Sequence, residues 1–108
     1  MKRVIIESPY SGDVVSNMHY LDACMRDSLE RGEAPFASHL IYTKYLDDTK
    51  EEERNKGIHA GFAWGSVADF VAVYIDNGIS KGMEYGIENA KKNNLKVEYR
   101  SIEWQQLI

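Results

Sequence analysis

The stretch of sequence that decides the fold is Asp69-Phe70-Val71-Ala72-Val73-Tyr74-Ile75. It is β-branched, aromatic and apolar, without the alternation of polar and apolar residues that marks a strand with one face in water. Val4-Ile5-Ile6 has the same continuous character. Two such runs predict strands that are covered on both faces, as in a parallel sheet between helices.

The sequence between these two strands predicts a helix and a further short strand. After Asp13, a suitable N-cap, apolar residues recur at spacings of four, three, four and four up to Leu29. This spacing is one face of a helix, which Gly32 would end. Ala34-Pro35-Phe36-Ala37 predicts a short strand, and its proline favours an edge position.

Residues 38–69 predict an ordered loop followed by a second helix. The segment 38–48 is aromatic and aliphatic without a clear period, which is typical of a loop. Thr49 with Glu52 matches a capping box, so the helix would begin there and run to about Val67. The charged run 47–56 is expected to be the solvated start of this helix.

The order of elements after residue 75 completes the prediction of the fold class. Residues 76–80 predict a loop, Met83, Ile87 and Ala90 mark the inner face of a third helix, and residues 95–99 alternate as a last strand. The order β-α-β-α-β-α-β predicts a single α/β domain over residues 1–108. It would be three-layered and Rossmann-like (flavodoxin-like), with a parallel sheet of about four to five strands and helices on both faces.

Composition limits the function classes. The 108 residues carry a formal net charge of −4, which disfavours binding to a nucleic acid polymer.

The longest apolar run, 70–75, is far shorter than the ~20 residues of a membrane span, and no signal peptide is recognisable. The single cysteine, Cys24, suits a reducing compartment and is expected to be an inert core residue. We therefore expect a cytoplasmic protein, without a membrane partner.

The loops that leave the carboxyl ends of the strands are the expected place for a ligand site. The first of them, Ser8-Pro9-Tyr10-Ser11-Gly12, offers serine hydroxyls and free backbone N–H groups to a phosphate or a ribose hydroxyl. The alternative is a plain turn between a strand and a helix. The other two loops are residues 37–48, which include His39, and residues 76–82. Phe36, on the strand before the first of these, could stack on a base.

Two acidic residues are candidates for chemistry at this edge. Glu84, in the first turn of the third helix, could act as a nucleophile or electrostatic partner to a sugar carbon. The alternative is that Glu84 only complements the helix dipole. Asp76 closes the 69–75 strand at the ligand end, whereas Asp69 lies at the opposite end and is expected to be structural.

The sequence also bears on metals, cofactors and partners. The three histidines share no ligand spacing with one another or with Cys24, so no metal site is predicted. No motif for a cofactor is present. Trp104, Leu107 and Ile108 give the chain an apolar tail, which predicts a homo-oligomer.

Four segments resemble the nucleoside 2-deoxyribosyltransferase-like superfamily, which includes deoxynucleoside 5′-monophosphate N-glycosidases. They are Ile5–Gly12, Ile58–Trp64, Ala68-Asp69 and Gly82-Met83-Glu84-Tyr85-Gly86. In whole-chain pattern the resemblance is greatest to short members of the kind found in bacteriophages, which would place the protein in the host cytoplasm.

The resemblance implies a function for several of these residues. Glu84 matches the glutamate that attacks the anomeric carbon. The loop 8–12 and the turn 78–82, with Gly78, Ser80 and Gly82 beside Met83, would hold the sugar and any 5′-phosphate. The superfamily's enzymes usually carry an aspartate in the second helix where this chain has Gly61. Either Asp76, Asp47 or His39 substitutes for it, or departure of the base is not assisted. We therefore expect an enzyme that cleaves an N-glycosidic bond, as hydrolase or deoxyribosyltransferase, or else a pocket that only binds a nucleotide-derived small molecule.

Overall fold

The computed structural model describes residues 1–103, so Trp104, Leu107 and Ile108 lie outside the described residues. The strands are β1 (Arg3–Glu7), β2 (Ala34–Phe36), β3 (Phe70–Tyr74) and β4 (Lys96–Arg100). The helices are α1 (Val14–Glu30), α2 (Ser38–Ile41), α3 (Glu51–Gly65) and α4 (Lys81–Lys92), with a 3₁₀-helix at Tyr42–Lys44.

The described strands form one parallel sheet in the order β2-β1-β3-β4. The chain moves to one side of β1 through α1 and to the other side through α3 and α4. Right-handed crossovers therefore place α1 on one face of the sheet and the other two long helices on the opposite face. This architecture confirms the predicted three-layer α/β fold.

The core is divided between these two faces. On one face Val4 and Ile6 pack with Leu21 and Cys24 of α1. On the other face the apolar residues of β3 and α4 pack together, namely Val71, Val73, Met83, Ile87 and Ala90. Odd-numbered residues of β1 consequently face α4, and this places the last of them, Glu7, on the α4 side.

The first helix begins and ends where the sequence predicts. Asp13 is the N-cap, and its Oδ1 accepts a hydrogen bond from the Ser16 N–H at 3.2 Å. Gly32 follows the helix with a φ of +80°, a conformation that favours glycine.

The segment between β2 and β3 differs from the prediction. Residues 38–44 are not a loop but form α2 and the 3₁₀-helix. The sequence did not indicate these helices because single turns are too short to show a period. The capping box at Thr49 is also wrong. Thr49 donates its hydroxyl to Asp47 Oδ1 at 2.6 Å, so α3 begins at Glu51 with Lys50 as N-cap and ends at Gly65 rather than Val67.

Cys24 lies in the core, as expected. Its side chain is fully buried, and desolvation raises the pKa of its thiol to about 12. None of the helices among residues 1–103 combines the length and the apolar character needed to cross a membrane.

Candidate functional site

A cavity opens at the carboxyl ends of β1 and β2. Its walls are the loop after β1, the α2 and 3₁₀ segment, the first turns of α3 and the start of α4. The enclosed volume is about 110 Å³, below the ~300 Å³ common for pockets of drug-sized ligands. A ligand the size of a nucleotide would therefore be only partly enclosed.

The cavity brings together about half of the residues that the sequence singles out. Those that line it are Ser8, Tyr10, Ser11, His39, Ser80, Gly82 and Met83. Those that do not are Pro9, Gly12, Phe36, Asp76, Gly78 and Glu84. The lining thus draws on all three of the predicted loops.

Ser8 and His39 are joined at the floor of the cavity. Ser8 Oγ lies 2.8 Å from His39 Nε2, in a hydrogen bond between the ends of two neighbouring strands. Desolvation lowers the pKa of His39 to about 4, so the imidazole is neutral at neutral pH. The pair offers a polar but uncharged surface to a ligand.

Glu7 is a cavity residue that the sequence prediction missed. It is the last residue of β1, and its carboxyl lies so close to Gly86 of α4 that a Cβ there would overlap with it. No hydrogen bond to this carboxyl occurs within the described part of the chain. Desolvation raises the pKa of Glu7 to about 8, so the group carries a proton at neutral pH. A possible signal was the acid at the end of an apolar strand, on the same face as Ile5.

Arg54 is a second cavity residue that the sequence prediction missed. It stands in the first turns of α3 and lines the cavity with Asp48 and Glu53, so the run 47–56 is not simply a solvated helix start. Glu53 contacts Lys50 at 3.8 Å, whereas Arg54 makes no ion pair with any of residues 1–103. Its guanidinium is therefore available to an anionic ligand.

Asp76 is held away from the cavity by its own hydrogen bonds. It accepts from Tyr20 Oη at 2.5 Å, Ser101 Oγ at 2.6 Å, and the backbone N–H groups of Ile102 and Glu103 at 3.1 and 3.2 Å. Burial acts to raise its pKa, but these donors prevail and bring it to about 2. Asp76 is an ionised carboxylate that fastens the chain after β4 to the end of β3.

Glu84 lies in the first turn of α4 with an exposed side chain. The helix is capped by Ser80, whose Oγ accepts a hydrogen bond from the Met83 N–H at 3.3 Å. Gly82 and Met83, which directly precede Glu84, line the cavity. The glutamate thus adjoins the α4 wall of the cavity without forming part of its lining.

Gly61 shows why this chain has no acid in the second long helix at that place. A Cβ on Gly61 would lie 2.8 Å from the Cβ of Ser38, a separation that real contacts do not show. The close crossing of α2 over α3 therefore leaves no room for an aspartate side chain. Among residues 1–103 no cluster of three or more histidine, cysteine, aspartate or glutamate side chains could hold a metal ion.

Residues 2–100 match the family described as the domain of unknown function DUF7768. The chain belongs to this family. No curated protein matches the chain.

The fold of this DUF7768 member is shared with a solved structure of the 2-deoxyribosyltransferase from the psychrotolerant bacterium Bacillus psychrosaccharolyticus. The TM-score is 0.65, and the match covers 92% of this chain and 72% of that one at 16% identity. At this identity the likeness establishes a common fold, in agreement with the four-stranded parallel sheet.

Proposed function

We propose that this protein binds a nucleoside 5′-monophosphate in the cavity and cleaves its N-glycosidic bond, with Glu84 as the nucleophile. The observation that carries the proposal is the coincidence of the cavity with the start of α4, where Gly82 and Met83 line it and Glu84 follows. The fold shared with a 2-deoxyribosyltransferase supports a substrate that contains a nucleoside.

The polar groups of the cavity suit the sugar and phosphate of such a ligand. In the proposal, the loop from Ser8 through Pro9 to Gly12 contacts the sugar, and the turn of Gly78 and Ser80 leads to the backbone N–H groups at the start of α4. Arg54 neutralises the phosphate. The ring of Phe36 lies 6.3 Å from that of Tyr42, which lines the cavity, and Phe36 is proposed to contact the ligand only at the rim. No cofactor is needed for this chemistry.

The reaction would proceed with retention at the anomeric carbon. A Glu84 carboxylate oxygen attacks C1′ as the base departs, giving a glycosyl ester on the enzyme. Water then releases the sugar phosphate in a hydrolase, or a second base captures it in a transferase.

The test is release of free base from the four deoxynucleoside 5′-monophosphates and the parent nucleosides. We expect Glu84→Gln to lose roughly 100-fold or more in rate, as befits a nucleophile. Glu88→Gln, an exposed glutamate four residues further along the same helix, is the matched control and should behave as wild type. Base release that survives in Glu84→Gln would contradict the assignment.

A second candidate is a pocket that binds a nucleotide-derived small molecule without turning it over. It is favoured by the exposure of Glu84 outside the cavity lining and by the lack of room for an acid at Gly61. In that case no base is released from any substrate. A thermal shift would nevertheless appear with nucleoside monophosphates, and Arg54→Gln would abolish it.

Homo-oligomer formation and a cytoplasmic setting, in the host if the protein is phage-encoded, also belong to the proposal. The apolar tail on which the prediction of a homo-oligomer rests lies outside the described residues. Tyr45 and Trp64, however, expose 79% and 52% of their surface and support an apolar contact between subunits. Light scattering over a range of concentrations tests it. A concentration-independent monomer mass would contradict it.

A further inference from the structure

We infer that Glu7 is the acid that protonates the departing base. An acidic side chain at Gly61 has no room to do so, because it would overlap with Ser38. The inference rests on the proposed N-glycosidic function, and it assigns a second catalytic residue to the same site.

The position of Glu7 meets the first requirement, access to the ligand close to the helix that carries Glu84. Glu7 lines the cavity at the end of a central strand, next to Ser8. Its carboxyl packs against Gly86, which lies two residues after Glu84 in α4. Glu7 therefore lies against the first two turns of α4, the helix that carries Glu84.

The surroundings of Glu7 meet the second requirement, a proton to give. Strand β3 and the buried face of α4 present apolar residues to it, Val73 and Met83 among them. The charged groups of the cavity are Asp48, Glu53 and Arg54, from the start of α3 and the residues before it, and His39 is neutral there. No hydrogen-bond donor among residues 1–103 stabilises the ionised form of Glu7, and burial raises its pKa to about 8. A carboxylic acid of this kind is protonated at neutral pH and suited to general acid catalysis.

The reaction balances with the two carboxyl groups and one water molecule. As Glu84 forms its bond to C1′, the C1′–N bond breaks and its electron pair passes to the base. The proton of Glu7 moves to a ring nitrogen of that base. The Glu7 carboxylate then takes a proton from water as the hydroxide adds to C1′ and Glu84 departs as a carboxylate.

The experiment compares substrates that need a proton with one that does not. A 7-methylated guanine carries a positive charge in the nucleotide and leaves as a neutral base. We expect Glu7→Gln to lose roughly 100-fold or more in base release from the unmodified deoxynucleoside monophosphates, but to stay close to wild type with 7-methyl-dGMP. Glu88→Gln should match wild type on both.

Each outcome separates this inference from the function on which it rests. Equal losses on both kinds of substrate would make Glu7 a positioning residue and overturn the inference, as would an unchanged rate on the unmodified substrates. Absence of base release by the wild-type chain from every substrate would refute the proposed function itself. The wild-type pH profile gives an independent measurement that needs no variant: the rate should fall above pH 8 with unmodified substrates.

Discussion

Glu7 and Asp76 lie at the same edge of the sheet, at the ends of the neighbouring strands β1 and β3, yet they are in opposite states. Asp76 accepts four hydrogen bonds, and its pKa is about 2. Glu7 accepts none from the residues that the structure describes, and its pKa is about 8. The comparison shows that the donors around a carboxyl, rather than its place at the ligand edge, decide whether it holds the fold together or is available for chemistry.

The donors to Asp76 come from far along the chain, and this explains why its state was not visible in the sequence. Tyr20 belongs to α1, and Ser101 follows β4. Both Glu7 and Asp76 are acids beside an apolar strand, so a local pattern treats them alike. Only the folded arrangement distinguishes them.

Removing the charge of Asp76 should have the largest effect on stability. Asp76→Asn keeps the shape but weakens the acceptor for four donors, and we expect unfolding to become easier by about 3 kcal/mol. Chemical denaturation measures it. Asp22→Asn, at an exposed position on α1, is the control and should change little. An equally small effect of Asp76→Asn would show that its hydrogen bonds do not hold the fold together.

The equivalent substitution at Glu7 should have the opposite effect and stabilise the protein, to a degree that depends on pH. The pKa of Glu7 is raised in the folded state, so the folded protein binds more protons than the unfolded chain between pH 4.5 and about 8. Wild-type stability is therefore lost as pH rises through that window. Glu7→Gln removes the loss and should gain on the order of 2 kcal/mol at pH 8 and nothing at pH 4, a value discounted for the partial exposure of the side chain. A gain that does not vary with pH would contradict the assigned protonation.

Ser8, next to Glu7, tests whether a hydrogen bond at this edge stabilises the fold when it is formed. Ser8→Ala removes the partner that lies 2.8 Å from His39 Nε2 and should cost about 1 kcal/mol. Thermal unfolding at pH 7 checks this against Ser11→Ala, an exposed serine of the same loop. Equal effects of the two substitutions would mean that the contact with His39 contributes nothing.

Glu84 should show the smallest effect on stability. Its side chain is exposed, so Glu84→Gln should alter the free energy of unfolding by less than about 0.5 kcal/mol. The same variant is expected to lose base release, which would separate a residue kept for chemistry from one that holds the fold. A large loss of stability would assign Glu84 a structural part instead.

The sequence was informative where structure is governed by local periodicity and failed where it depends on tertiary contacts. The strands and α1 follow from continuous apolar runs, helical spacing and the Asp13 cap. The single turns at 38–44 are too short to show a period. The Thr49 hydroxyl donates its hydrogen bond to Asp47 and does not cap α3. Three loops at one edge of the sheet gave the location of the cavity, but Glu7 and Arg54 enter it from a strand end and a charged helix start.

The burial of Cys24 makes its alkylation a direct measure of how often the protein opens. The thiol is shielded beneath α1 and has a pKa of about 12, so reagents that attack thiolates can modify it only when the helix separates from the sheet. Since the chain has no other cysteine, a reporter thiol introduced at Asp48 on the cavity wall could be labelled selectively in the native protein. The rate of alkylation at Cys24 would then report how often α1 separates from the sheet. In the same sample, the label at position 48 would report binding of the ligand.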